Sequence, residues 1–139
     1  MQLLAQSLVV SLGVMVLSGA ACSTMQQAVG GDVANDTVAA RAALVRLEAD
    51  ARALATQTGC GGASGCRSAP VGAKACGGPR TYLVYCAATT DSVALFKRLD
   101  ELKQAELQFN QSAGMAGTCD FRMPPSVTVQ GGSCREATP

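Results

Sequence analysis

"GAKACGGPRTYLVYC", Gly72 to Cys86, sets a glycine-proline turn directly before an apolar run rich in aromatic and aliphatic residues. Gly77 and Gly78 permit backbone angles barred to other residues, and Pro79 fixes φ ahead of the run. Thr81 to Ala87, TYLVYCA, is the strongest strand signal in the chain. On a strand, Tyr82, Val84 and Cys86 share one face, and Leu83 and Tyr85 the other. The stretch reads as a structural corner pinned by Cys76. A phosphate cradle is the sharp alternative, but CGGPRT fits neither G-x-x-x-x-G-K-[ST] nor G-x-G-x-x-G, and it precedes a strand rather than a helix.

Two helical patterns flank this strand. From Asp36, DTVAARAALVRLEADARALATQTG is rich in helix formers, with Leu44, Leu47, Ala51 and Leu54 on one stripe. Asp36 suits an N-cap and Gly59 a stop. A second helix is predicted from Thr90 or Asp91 to about Gln111. Leu95, Leu99, Leu102 and Phe109 lie along one face, Phe96 at its flank, and Asp100, Lys103 and Glu106 on the solvent side. Residues 59–80 hold too much Gly and Pro for a helix and read as a loop with a short strand near Arg67 to Val71. After Pro124-Pro125 a last strand spans Ser126 to Gln130, and Gly131-Gly132 turns Cys134 back toward the body. The order helix, loop, strand, helix, strand predicts a single α+β domain over residues 36–139, with two helices packed on a small antiparallel sheet.

Composition narrows the chemistry. The 139 residues carry a formal net charge of +1, so no general affinity for nucleic acid follows. Histidine is absent, which removes the commonest general base and the commonest metal ligand. Of the seven cysteines, Cys60, Cys66, Cys76, Cys86, Cys119 and Cys134 are separated by five, nine, nine, thirty-two and fourteen residues. No C-x2-C pair exists to hold zinc or to form a thioredoxin-like motif. A thiol nucleophile would lack its histidine. The six therefore read as disulfides stapling a loop-rich chain, with no metal and no cofactor expected. Fifteen connectivities are open. Short-range closure suggests Cys119–Cys134 and Cys66–Cys76, with Cys60–Cys86 tying the first helix to the strand.

The seventh cysteine has its own context. Residues 1–21, MQLLAQSLVVSLGVMVLSGAA, contain no charged side chain, and Leu8 to Leu17 makes an h-region. Ser18, Gly19, Ala20 and Ala21 are small, and Cys22 follows. This pattern resembles the signal peptide and lipobox of bacterial lipoproteins. The resemblance implies that Cys22 is lipidated and becomes the mature N-terminus. Ser23 after it implies the outer membrane, facing periplasm or surface. Ordinary cleavage near Ala20 or Ala21, giving a soluble periplasmic or secreted protein, and an uncleaved anchor are the alternatives. Removing Cys22 leaves an even six cysteines in an oxidising compartment. Residues 22–35 then read as the lipidated cysteine and a flexible tether. The K-x-C-G-G-P stretch, with its following strand and later cysteines, resembles small secreted bacterial domains, a likeness that implies no activity.

No catalytic constellation emerges. Glu48 with Asp50, and Asp100 with Glu101, sit among Arg and Lys on predicted helix surfaces and read as solvated faces. Between Gly59 and Thr90 lie Arg67, Lys74 and Arg80 and no acid. A rigid basic loop surface is a recognition face, with Tyr82 and Tyr85 as possible anchors. The sequence thus predicts a non-enzymatic envelope lipoprotein that binds an envelope or secreted protein, as an inhibitor or immunity protein would. The alternative is a structural accessory subunit of an envelope complex.

Overall fold

A computed structural model describes the backbone of residues 21–137 and the side chains of residues 35–137. In chain order its elements are helix α1 (Ala21–Leu54), a 3-10 turn (Ala63–Gly65), strands β1 (Cys66–Val71) and β2 (Thr81–Cys86), helix α2 (Ser92–Ser112), and strands β3 (Val127–Gln130) and β4 (Ser133–Glu136). This is an α+β arrangement, as the sequence predicts, with two antiparallel hairpins in place of one sheet. The additional strand is β4. Its residues, SCRE, have weak strand propensity. Gly131 and Gly132, with φ of 57° and 76°, close a two-residue turn that lays them back along β3.

Helix α1 includes Asp36, which therefore does not cap it, and extends over the segment assigned to a tether. The expected leader and the lipidation of Cys22 lie outside the residues whose side chains are described.

Strand β2 is buried on both faces, and this organises the core. Leu83 and Tyr85 point to the helices, where they join Ala69 and Val71 of β1, Leu95, Leu99 and Leu102 of α2, and Ala51 of α1. Leu44, Leu47 and Leu54 pack at the margin of this layer, on the stripe read from sequence. Complete burial of a side chain such as Leu95 or Leu102 stabilises by about 1.5–3 kcal/mol. Val84 and Cys86 point the other way, to Cys60, Cys66, Cys134 and the β3 residues Val127 and Val129. The domain is thus layered as helices, first hairpin, second hairpin.

The junctions are capped by side chains. Asp91 is the N-cap of α2, its carboxylate accepting from the Ala94 N–H at 3.0 Å. Thr90, buried beside it, accepts from the Thr56 N–H at 3.0 Å and donates to the Thr56 carbonyl at 3.2 Å. That reciprocal pair fastens the chain leaving α1 to the start of α2.

All six cysteines of the domain are bonded, as Cys60–Cys86, Cys66–Cys134 and Cys76–Cys119. The first pair is the expected one. The other two replace the short-range pairs Cys66–Cys76 and Cys119–Cys134. Cys66 opens β1, and the strand to Val71 is extended, carrying the chain about 16 Å away before the loop that holds Cys76 begins. A disulfide requires Cα atoms within about 7 Å. Cys134 faces the buried layer between the hairpins, whereas Cys119 lies on an exposed loop.

Candidate functional site

The loop joining β1 to β2, residues 72–80, is docked on α2 by side chains that bond both the N–H and the carbonyl of one residue. Glu106 accepts from the Ala73 N–H at 2.5 Å, and Asn110, one turn on, donates to the Ala73 carbonyl at 3.1 Å. Arg80, at the far end of the loop, donates to both oxygens of Glu106 at 2.7–3.1 Å and to Glu48 of α1 at 2.6 Å. Arg52 donates to the other oxygen of Glu48 at 2.7 Å. Gly72, at φ 68°, leaves room for this network: a Cβ there would overlap the Glu106 carboxylate. At the loop tip, the Lys74 N–H donates to the Gly78 carbonyl and the Gly77 N–H to the Lys74 carbonyl, each at 3.0 Å. Gly77 and Gly78 take φ of 94° and 75° there.

The charges settle accordingly. Burial pushes the Glu48 carboxyl up, but hydrogen bonds and attraction from Arg52 and Arg80 outweigh it and hold the group below its ordinary range. The Glu106 carboxylate raises the pKa of Arg80 against the opposing effect of partial burial, with Glu48 adding to it. Asp120 is lowered by the Thr118 hydroxyl and by Lys74.

The five residues singled out as a basic recognition face fall in different settings. Arg80 is held in the carboxylate network just described. The Lys74 ammonium donates to the Asp120 carbonyl and lies 3.4 Å from its carboxylate. Arg67 is exposed, its guanidinium donating to the Ser64 and Cys66 carbonyls at 2.6 and 2.8 Å. The Tyr82 hydroxyl donates to the Arg122 carbonyl at 3.2 Å. Tyr85 is a core residue, its ring edge-on to Phe96 at 6.3 Å. The loop contains no acid, but Glu48, Glu106 and Asp120 come to it from elsewhere in the chain. Glu106 is also the exception to the solvent face expected of α2, being 7% exposed. Its position four residues after Leu102, on the apolar stripe, was the available signal.

Beside this loop lies an open groove of about 460 Å³. One wall is the loop, with Gly72, Ala73, Gly77, Gly78 and Pro79; the other is α2, with Phe96, Leu99 and Leu107. Asp100 and Lys103 stand on the helix side as its charged residues. The site is apolar with a small polar complement, the composition of a binding surface. Phe96 is 44% exposed.

Compared with protein-family models, curated proteins and solved structures, the chain finds no match. No helix among the described residues is long and apolar enough to cross a membrane.

The Sγ atoms of Cys60, Cys86 and Cys134 lie within 4.8 Å of one another, close enough to suggest metal ligands. All three are in disulfides, and a thiolate is what binds metal. The cluster is therefore two adjacent bridges, Cys60–Cys86 and Cys66–Cys134, in one buried layer.

Proposed function

We propose that this chain is a non-enzymatic binding module of the cell envelope, lipid-anchored at Cys22, which engages a protein partner through the groove between the 72–80 loop and α2. The observation that carries this reading is the fixed apolar groove itself. Its loop wall is held by Glu106, Asn110 and Arg80, so little entropy is lost when a partner docks. The apolar walls suit an inserted aliphatic or aromatic side chain, and Asp100 and Lys103 suit polar groups flanking it. Inhibition of an envelope-directed hydrolase or immunity to a toxin fits such a module. The export pattern before Cys22 and three disulfides support an oxidising compartment.

A photo-crosslinking residue at Lys103 tests the reading in cells. One discrete crosslinked protein is expected; its absence at Lys103 overturns the groove as the binding site. Metabolic labelling with an alkynyl fatty acid tests the anchor. Label on the wild type and none on Cys22→Ala is expected.

The second reading, a structural subunit, draws on a different surface. Val38 and Val45, seven residues apart on α1, are 66% and 69% exposed. A crosslinker at Val45 that captures a partner, with none at Lys103, favours that reading.

A further inference from the structure

We propose that Cys76–Cys119 is a site of thiol–disulfide exchange with an external dithiol, which opens this bond while the other two stay closed and so releases the loop that follows α2. The inference does not depend on lipidation or on the groove.

The three bridges differ in access. Cys66, Cys86 and Cys134 are 0–2% exposed and Cys60 9%, all packed between the two hairpins. Cys76 and Cys119 are both exposed. Exchange requires a thiolate to approach a sulfur along the S–S axis, so access decides which bond reacts. The buried pair of bridges is reached only when the hairpins separate.

The surroundings also favour opening there. Lys74 is two residues before Cys76, and its ammonium is bound to Asp120, which follows Cys119. A lysine two residues from the leaving sulfur in the chain helps to stabilise its thiolate, and Asp120 offsets part of that charge. In the closed bond the Cys76 sulfur lies 3.2 Å from the Gly117 carbonyl oxygen, an acceptor at hand for the thiol that opening creates.

The step balances as an ordinary exchange. A thiolate of the dithiol attacks one sulfur of the bond and forms a mixed disulfide, and the other cysteine leaves as thiolate and takes up a proton. The second thiol of the dithiol then resolves the mixed disulfide. The domain gains two electrons and two protons, and the dithiol is oxidised to its disulfide.

Opening changes one surface. Residues 113–126 contain no helix or strand and connect α2 to β3. Apart from the disulfide, the segment's polar contacts with the first hairpin and its loop are Lys74 with the exposed Asp120, and the Tyr82 hydroxyl with the carbonyl of the exposed Arg122, while at its far end the Ser126 carbonyl accepts from the Ala137 N–H. The segment carries Phe121 and Met123, 82% and 71% exposed. Reduction therefore frees a loop bearing large apolar side chains while the two-hairpin core stays bridged.

The test uses the purified oxidised protein, dithiothreitol as limiting dithiol, acid quenching, alkylation and peptide mapping. Cys76 and Cys119 are expected to become alkylated about tenfold faster than Cys60, Cys66, Cys86 and Cys134, so that a species open at this bond alone accumulates. Equal rates at all six, or earlier labelling of any buried cysteine, overturn the proposal. Trypsin reports the loop: cleavage after Arg122 is expected to accelerate about tenfold once Cys76 and Cys119 are alkylated. An unchanged cleavage rate overturns the release of the loop.

Discussion

Cys66 and Cys86 are direct cross-strand partners in the first hairpin, yet each is bonded elsewhere, Cys66 to Cys134 and Cys86 to Cys60. Their side chains share the face of the hairpin that meets β3 and β4. One bridge fastens β4 to β1, and the other fastens the segment after α1 to β2. The second hairpin is a two-stranded element, which is marginal by itself, so its attachment rests on the Cys134 disulfide, on the apolar contacts of Val127 and Val129, and on backbone pairing of β4 with the segment after α1, where the Cys134 N–H donates to the Gln57 carbonyl at 2.7 Å.

Removal of Cys66–Cys134 by paired serine substitution is accordingly expected to destabilise by about 4 kcal/mol in the chain-entropy account, because it closes the longest separation, 68 residues. Urea unfolding of the double variant measures this. A loss below that of the Cys60–Cys86 double variant, whose separation is 26 residues, would contradict it.

The Arg80–Glu106 pair makes an asymmetric prediction. Arg80→Met leaves the buried Glu106, whose side chain is 9% exposed, without its main cationic partner, at a cost of about 3–5 kcal/mol. Glu106→Gln leaves Arg80, 40% exposed, able to turn to water and keep Glu48, at about 1–3 kcal/mol. Chemical denaturation of both variants tests the order, and equal losses would sink the argument.

Gly72 and Gly78 share a left-handed backbone but not their surroundings. At Gly78, φ 75°, a Cβ meets nothing within 4 Å, so Gly78→Ala is expected to cost about 1–2 kcal/mol from backbone strain. Gly72→Ala adds displacement of the Glu106 carboxylate and is expected to cost about 2 kcal/mol more. Comparable midpoints for the two variants would show that the carboxylate moves freely.

Acid should weaken the fold in a defined window. Glu48 and Asp120 are lowered from ordinary values of 4.5 and 3.8. Groups depressed in the folded state contribute stability that is present above their unfolded pKa and lost as pH falls through the folded pKa. The Tm is therefore expected to be level above about pH 5 and to fall below about pH 4.5, with a shallower fall in Glu48→Gln. An acid slope identical in Glu48→Gln would remove Glu48 from the account.

Much of the architecture is legible in the sequence because hydrophobic period reports local structure. TYLVYC is a short apolar run of aromatic and β-branched residues, as a strand buried on both faces requires, Leu44-Leu47-Ala51-Leu54 and Leu95-Leu99-Leu102 repeat as helices, and the core is built from those residues. Period says nothing of which distant groups meet. Counting charges between Gly59 and Thr90 suggested a cationic surface, whereas Glu48 and Glu106 arrive at Arg80 from two helices. Sequence proximity also misjudged two disulfides, because an extended strand separates neighbours in the chain and the hairpin turn at Gly131-Gly132 brings Cys134 to Cys66. The groove was readable only in halves, as a glycine-rich corner and as Phe96 at the flank of α2.

The most direct test of that groove is affinity capture from envelope extract with the oxidised protein as bait, run beside Phe96→Asp and Val45→Asp. The account predicts one stoichiometric protein partner retained by the wild type and by Val45→Asp, and lost with Phe96→Asp. A partner held equally by Phe96→Asp, or no partner across a range of salt, would contradict it.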